Sequence, residues 1–355
     1  IALNSGKVSP ALEKQYIAEC KFIRALTMWH LVNLFAQPYN FTADASHPGI
    51  VLQVTAPKTS VDAFDPSQRL PRASVQAIYI QMIKDLTEAI PDLPTVASAT
   101  TARTISNVGR ATSGAGKALL ARVYLYKGDY TNAAALAGQV ITPTVYRLNS
   151  SPRDAFYNYT TAESIFSVAM NSQDNPNTNN AIGQHYGPDR RADITVTPYA
   201  NSTTLGASDL RRTTLLDIRG ANIFTAKFYA VDNWVPIIRY PEVLLTRAEA
   251  LAQLSATPST EAITLLNQVR SRSTTAIDPT TLTTQTSLIN AILEERRLEL
   301  AFEGFRLYDL LRYKRAIPAH STVTTPVAAS DSRVIFPIPN QDVLLNPLLI
   351  QNTNY

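Results

Sequence analysis

A single cysteine, Cys20, is the whole thiol content of this 355-residue chain. That excludes an internal disulfide framework and any cysteine-based zinc knuckle. Histidine is nearly as scarce: His30, His47, His185 and His320 stand far apart, with no HExxH or H-x3-H spacing. A metal centre would have to gather single ligands from distant segments. No apolar run approaches the ~18 residues needed to cross a bilayer. The opening residues IALNSGKVSP hold no charged segment followed by an apolar one, so no signal peptide is expected in them. Charge of one sign is not concentrated either. The net charge is +4, but the arginines are interleaved with acids and form no basic stripe, which leaves nucleic-acid binding without support. GxSxG and nucleophile–base motifs are missing, and AGKALL at 115–120 is too short and glycine-poor for a phosphate loop.

What is present reads as helix. With 45% hydrophobic and 17% charged residues, the composition suits a globular protein with a substantial core. Over residues 12–35, LEKQYIAECKFIRALTMWHLVNLF, the residues Ile17, Phe22, Leu26, Trp29, Val32 and Phe35 recur three to five apart, the spacing of a helix's buried face. Cys20 and Trp29 are therefore expected in the core, and Pro38 punctuates the end. A second helix is expected over about 72–90. Residues 109–141, GRATSGAGKALLARVYLYKGDYTNAAALAGQVI, read as two helices joined at GDY. Ala118, Ala121, Ala133 and Ala137 are small where the two must approach closely. Leu120, Ala121, Tyr124 and the GDYxxA turn resemble the tetratricopeptide (TPR) pattern. A second pair, RYPEVLLTRAEALAQL (239–254) and STEAITLLNQVRSR (259–272), follows only after a long gap, so the scaffold is a degenerate helical repeat. The gap, 143–236, is rich in Asn, Thr, Ser, Tyr and Pro. It predicts loops with a few short strands, and a connection that long usually carries function.

Residues 293–313, LEERRLELAFEGFRLYDLLRY, pack four glutamates, an aspartate, four arginines and four aromatics into one stretch. Read as one helix over about 287–313, it places Glu295, Glu299 and Glu303 on one face. Arg296, Arg306 and Arg312 then lie within reach of these acids or of partners on neighbouring helices. Di-iron bundles use carboxylates at such spacing but want Glu-x-x-His, and no histidine occurs here. Interleaved arginines suit bidentate pairs that lock the helix to its neighbours, with Leu298, Phe302 and Phe305 packing beside them. On this reading the stretch is scaffold, and both Glu299→Ala and Arg306→Ala are expected to cost stability rather than binding.

Five segments, in order, resemble the SusD/RagB-like family of outer-membrane nutrient-binding lipoproteins: AECKFIRALTMWHLVNLFAQPY, RATSGAGKALLARVYLYKGDYTNAAALAGQVI, IIRYPEVLLTRAEAL, ILEERRLELAFEGFRLYDLLRY and the ending VIFPIPNQDVLLNPLLIQNTNY. The resemblance implies a mainly α fold, a TPR-like hairpin scaffold (a SusD-like α/α superhelix) with an irregular, loop-rich lobe carrying a few short strands. It implies a single SusD-like domain over 1–355, with helical scaffold at 12–142 and 237–315, the lobe at about 143–236 and an extended segment at 316–355. It further implies a non-catalytic, surface-exposed outer-membrane lipoprotein that captures oligosaccharides, or peptides in the RagB branch, for a SusC-like TonB-dependent transporter. No cofactor or metal is expected. Family members carry a signal peptide and a lipid-bearing cysteine before the AECKFIRAL-like segment. The resemblance thus implies an anchor that this chain does not contain, a role Cys20 inside a helix does not take. A TPR-type adaptor for protein partners is the reading from another class, and the long irregular lobe argues against it.

Sugar capture needs flat aromatic faces flanked by amides, acids and guanidinium groups. The loops that offer them are PYNFTADASH (38–47), GQHYGPDRRADITVTPYANS (183–202) and VDNWVP (231–236). The candidates for ligand binding are Tyr39, Asn40, Phe41, His185, Tyr186, Tyr199 and Trp234, with His47 and Asp189 ranked below them. Each aromatic beside a proline could equally anchor its loop to the scaffold.

Overall fold

The computed structural model describes residues 6–98, 100–319 and 323–355, so His320 lies outside the described residues. The first helix, α1 (Pro10–Phe35), starts where the Ser9 hydroxyl accepts from the Leu12 N–H and Pro10 needs no partner for an N–H it lacks. It buries Ala18, Phe22, Ala25, Leu26, Trp29 and Val32. The buried stripe is rotated slightly from the expected one. Ile17 is 38% exposed and Cys20 is exposed rather than in the core, because the small Ala18 and Ala25 are what face the neighbouring helix closely. That neighbour is α2 (Val75–Ala89), entered through a short antiparallel pair, β1 (Pro48–Val51) with β2 (Arg72–Ser74).

The hairpin α3 (Ser113–Lys127) and α4 (Tyr130–Ile141) forms as the sequence predicts. The Thr112 hydroxyl caps α3, and the Asp129 carboxylate accepts from the Asn132 N–H to start α4. Small residues do the close packing, with Ala133 and Ala137 fully buried. The second hairpin, α5 (Tyr240–Leu254) with α6 (Thr260–Arg270), comes after the lobe. Helix α5 touches α3, α4, α6 and α7 (Gln285–Glu299), so nearly its whole surface is buried.

The lobe holds two short antiparallel pairs. β3 (Ser164–Val168) pairs with β6 (Val235–Arg239), and β4 (Leu216–Arg219) with β5 (Asn222–Thr225). Strand β6 runs straight into α5, with Arg239 at the helix cap, so the lobe is stitched to the scaffold at its exit.

The charged stretch is not one helix. Helix α7 ends at Glu299, and α8 (Arg306–Arg312) begins only after a turn in which Phe302 (φ +67°) and Gly304 (φ +84°) are left-handed. Gly304 adopts that conformation at no steric cost, which a side chain would oppose. Lys227 covers the open end of α7: its Nζ donates to the carbonyls of Glu299 (3.1 Å) and Ala301 (2.9 Å) and pairs with Glu303 (2.8 Å).

The acids of the stretch form a buried network, as expected, and their partners come from both the lobe (Arg211, Lys227) and the scaffold (Arg239, Arg270, Arg272). Arg239 binds Glu163 (2.6 Å), Glu299 (3.1 Å) and Glu303 (2.7 Å). Arg272 bridges Glu163 (2.5 Å) and Glu299 (2.6 Å), and Arg211 holds Asp209 (2.8 Å) and Glu295 (2.5 Å). A second cluster joins Arg296 and Arg312 to Asp309 (3.0 and 2.8 Å), with Arg312 also on Glu249 and Tyr126 donating to Asp309 (2.9 Å). Arg306 belongs to neither cluster, contrary to the sequence expectation, because the turn at 300–305 separates α8 from α7 and sets its first residue in the wall of the inner cleft.

Burial alone would raise the Glu299 carboxyl, but Arg272, Arg239 and Arg211 bring it down from 4.5 to about 2. Asp309 is likewise opposed by burial and brought from 3.8 to about 2 by Arg296 and Arg312. Groups depressed in the folded state contribute stability above their unfolded pKa and lose it as pH falls through the folded one. Glu295 works the other way, because burial outweighs Arg211 and raises it. The expected result is a melting temperature that holds down to about pH 4.5 and falls steeply toward about pH 2, read by calorimetry across that range. A melting temperature that rises on acidification would contradict the network's role.

Candidate functional site

Three depressions follow one another along α8, between it and the C-terminal half of α1. The largest encloses about 560 Å³ and is walled by Trp29, Tyr186, Phe228, Phe302, Phe305 and Tyr308, with His30 and Arg306 among its polar groups. Tyr308 also borders a narrow crevice with Tyr39, Tyr79, Tyr126 and Arg312. Pro38 and Leu311 carry that crevice into an outer cleft of about 370 Å³, where Asn40, Phe41, Lys314 and Ser330 meet. Shared lining residues set the three side by side as a track of two clefts, contributed by α1, the loop after it, the lobe and α8, which the middle crevice of about 10 Å³ joins only narrowly.

The inner cleft exists because of the turn before α8. Phe302 holds a left-handed backbone, a strained conformation for a bulky residue, and is kept there by rings on two sides: Tyr186 at 5.9 Å and Tyr199 at 5.0 Å. The short helix Ile182–Tyr186 brings Tyr186 against Phe228 at 6.1 Å, so the lobe supplies one wall and the scaffold the other. His30 is exposed as a residue, yet its ring lies within the cleft. That burial, helped by the Arg122 guanidinium, lowers the imidazole to about 4 and leaves it neutral near pH 7. Arg122 is itself held bidentate by Glu242, both contacts at 2.6 Å.

Four of the sequence candidates lie on this track. Tyr186 lines the inner cleft, Tyr39 the crevice, and Asn40 and Phe41 the outer cleft. Tyr39 packs on Tyr79 at 4.7 Å, and the Asn40 amide donates to the Arg312 carbonyl at 2.7 Å, so both also fasten the loop to the scaffold. Phe41 is freer, 44% exposed and propped edge-on by His47 at 5.3 Å. His47 is buried, accepting from Thr42 (2.9 Å) and donating to the Gln37 carbonyl (3.0 Å), which makes it the loop's internal brace.

The other candidates sit off the track. His185 lies between the Asp193 carboxylate (2.8 Å) and the Asn179 carbonyl (3.1 Å). The Tyr199 hydroxyl donates to Leu298 O at 3.0 Å behind Phe302. Trp234 stacks on Tyr159 at 5.2 Å and donates its indole N–H to Met170 O at 2.7 Å. Asp189 is bound by Arg219 at 2.5 Å. Sequence reasoning missed His30, Phe228, Arg306 and Tyr308. The available signal was Gly304, whose break in the charged helix turns Arg306 and Tyr308 outward. Among the described residues, no group of three or more His, Cys, Asp or Glu side chains is placed to hold a metal ion, and no helix is long and apolar enough to cross a membrane.

Comparison with known proteins meets this architecture from both ends. Residues 221–355 match the SusD family, and residues 2–125 match the family described as "Starch-binding associating with outer membrane". The two segments together cover well over half of the sequence. The chain belongs to the SusD family. The SusD-like protein P2 of Formosa agariphila is 26% identical over 406 aligned positions, which take in 94% of this chain and 73% of that protein. The SusD-like protein P38 of the same organism is 36% identical over 131 residues, 35% of this chain but only 25% of that protein. Among solved structures, a SusD superfamily protein from Bacteroides fragilis superposes with a TM-score of 0.81 at 29% identity, over 94% of this chain and 76% of that one. A laminarin-binding SusD-like protein superposes at 0.68 with 23% identity, over 99% of this chain and 81% of that one, and shares the fold. The SusD-like fold, mainly α with few short strands, is thus the one the hairpin motifs imply.

Proposed function

We propose that this SusD-like chain is a non-catalytic capture protein that holds an oligosaccharide along the α8 track and passes it to a SusC-like TonB-dependent transporter at the outer membrane. The observation that carries this reading is the pair of aromatic-lined clefts on either side of the narrow crevice, with Tyr186 in the inner one and Phe41 in the outer one. Aromatic faces suit the C–H surface of pyranose rings, and rigid walls limit the entropy lost on docking. The carboxylates of the charged stretch support a non-catalytic role, since Glu295, Glu299 and Glu303 are all buried in ion pairs. The same track suits an extended peptide, which is the RagB-like alternative.

Isothermal titration with oligosaccharides of increasing length, neutral and acidic, tests the proposal. Affinity is expected to rise with length until the track is filled. Tyr186→Ala and Phe41→Ala each remove one face and are expected to weaken binding about fivefold, the equivalent of roughly 1 kcal/mol per stacked ring. Trp234→Ala, whose ring stacks within the lobe, and Tyr199→Ala, whose ring packs behind Phe302, are expected to act through stability. If no oligosaccharide binds and a peptide library does, the peptide reading replaces this one.

A further inference from the structure

Of the four arginines in residues 293–313, three are spoken for. Arg296 is on Asp309 (3.0 Å), Arg297 on Glu294 (2.6 Å), and Arg312 on Asp309 (2.8 Å) and Glu249. Arg306 has no hydrogen bond or ion pair among the described residues, although it is half-buried in the wall of the inner cleft. Desolvating a guanidinium without a partner is unfavourable, and here burial first and the Arg297 charge second both act against its charged form. The neighbouring acids Glu294 and Asp309 offset this only in part, since Glu294 is bonded to Arg297 and Asp309 to Arg296 and Arg312.

The rest of the cleft leaves that charge uncancelled. Glu303 is neutralised by Arg239 and Lys227, at 2.7 and 2.8 Å. Arg122 is neutralised by Glu242, and the His30 ring is uncharged. What remains among the described residues is one uncompensated positive group, Arg306, in the lining of an aromatic-walled cleft. We propose that the inner cleft takes a saccharide bearing an anionic substituent, a uronate carboxylate or a sulfate ester, and that Arg306 is the group that reads it. The proposal rests on the saccharide reading of the track and names the class of sugar. Arginine's planar fork suits both oxyanions, and the low-dielectric aromatic surroundings strengthen the contact.

The test is titration of the whole chain with a panel of uronic-acid oligosaccharides, the carboxyl-reduced form of each, sulfated galactose oligomers and an aspartate-rich peptide. Wild type is compared with Arg306→Gln and Tyr186→Ala. Wild type is expected to bind the best acidic oligomer about tenfold more tightly than its neutral counterpart, as one charge-assisted hydrogen-bonded pair provides. Arg306→Gln is expected to bring the acidic oligomer down to the level of the neutral one, with a melting temperature within about 2 °C of wild type because no partner is stranded. Tyr186→Ala is expected to weaken both forms alike. Whether uronate or sulfate binds more tightly assigns the substituent. Equal binding of acidic and neutral oligomers by wild type, or a preference that survives Arg306→Gln, overturns the proposal while leaving saccharide capture standing. Binding of no saccharide at all overturns the capture reading with it. Binding of the acidic peptide alone, lost in Arg306→Gln, makes the ligand a peptide instead.

Discussion

Glu299→Ala is expected to destabilise the fold by about 3–5 kcal/mol, the range for removing one partner from a buried ion pair. Three cations face this carboxylate from three parts of the chain: Arg239 at the end of β6, Arg272 just after α6, and Arg211 in the lobe. Deleting it leaves all three with less compensation inside a nearly dry interior, and each was costly to desolvate in the first place. The cost exceeds that of a lost hydrogen bond because it is the stranded charge, and not the missing contact, that dominates. Glu299→Gln keeps the shape and is expected to be nearly as damaging, which separates charge from packing. Denaturant titration of both variants, with the slope compared to wild type, reads the effect. Wild-type stability in either would mean that the cations are relieved by water or by Glu163 and Glu303 alone.

Gly183→Ala is the second large expectation. A methyl at this position would stand 2.2 Å from the Ala230 carbonyl oxygen and 2.7 Å from its nitrogen, backbone atoms that cannot rotate away. The helix Ile182–Tyr186 would have to lift from the segment that carries Phe228, and Tyr186 would leave the wall of the inner cleft. The expected cost is about 3 kcal/mol, at the upper end for overpacking. Oligosaccharide affinity is expected to fall further than in Tyr186→Ala, because the whole wall moves. The ion-pair network does not involve residues 182–186, so the far-ultraviolet circular dichroism of the helical scaffold is expected to persist below the transition. A Gly183→Ala variant with wild-type melting and wild-type affinity would show that the lobe backbone yields more readily than this packing implies.

The contrast between Arg306 and Glu299 marks where sequence reasoning reached its limit. Both lie in one amphipathic-looking run, and helical spacing puts both on one ionic face. Glu299 is where that reading places it. Arg306 is not, because a left-handed Phe302 and Gly304 end the helix between them. A lone glycine in a helical pattern is usually tolerated, so Gly304 alone was a weak signal of the break, and it is the rings of Tyr186 and Tyr199, each more than a hundred residues upstream, that hold Phe302 in place. Cys20 illustrates the same limit on a smaller scale. Periodicity located α1 and most of its core, but a rotation of the stripe by less than one residue decided which side of Cys20 faces water.

The hairpins α3–α4 and α5–α6, the irregular lobe between them and the SusD-like architecture were legible in the sequence by itself. Helix periodicity, the GDY turn and the small residues at close approaches are local signals, written within a few turns of chain. The sequence also indicated that the acids of the charged stretch are held in ion pairs, as Glu295, Glu299, Glu303 and Asp309 are, while residues 302–308 of the same stretch line the inner cleft. Only the tertiary structure decided that Tyr186, His30, Tyr39 and Phe41 line neighbouring clefts, that Tyr199 and Trp234 are engaged away from them, and that Arg306 lines the inner cleft without a partner among the described residues. Those facts depend on which loop lies over which helix, and the energy that sets them comes from contacts between residues far apart in the chain, which leave no spacing in the sequence to read.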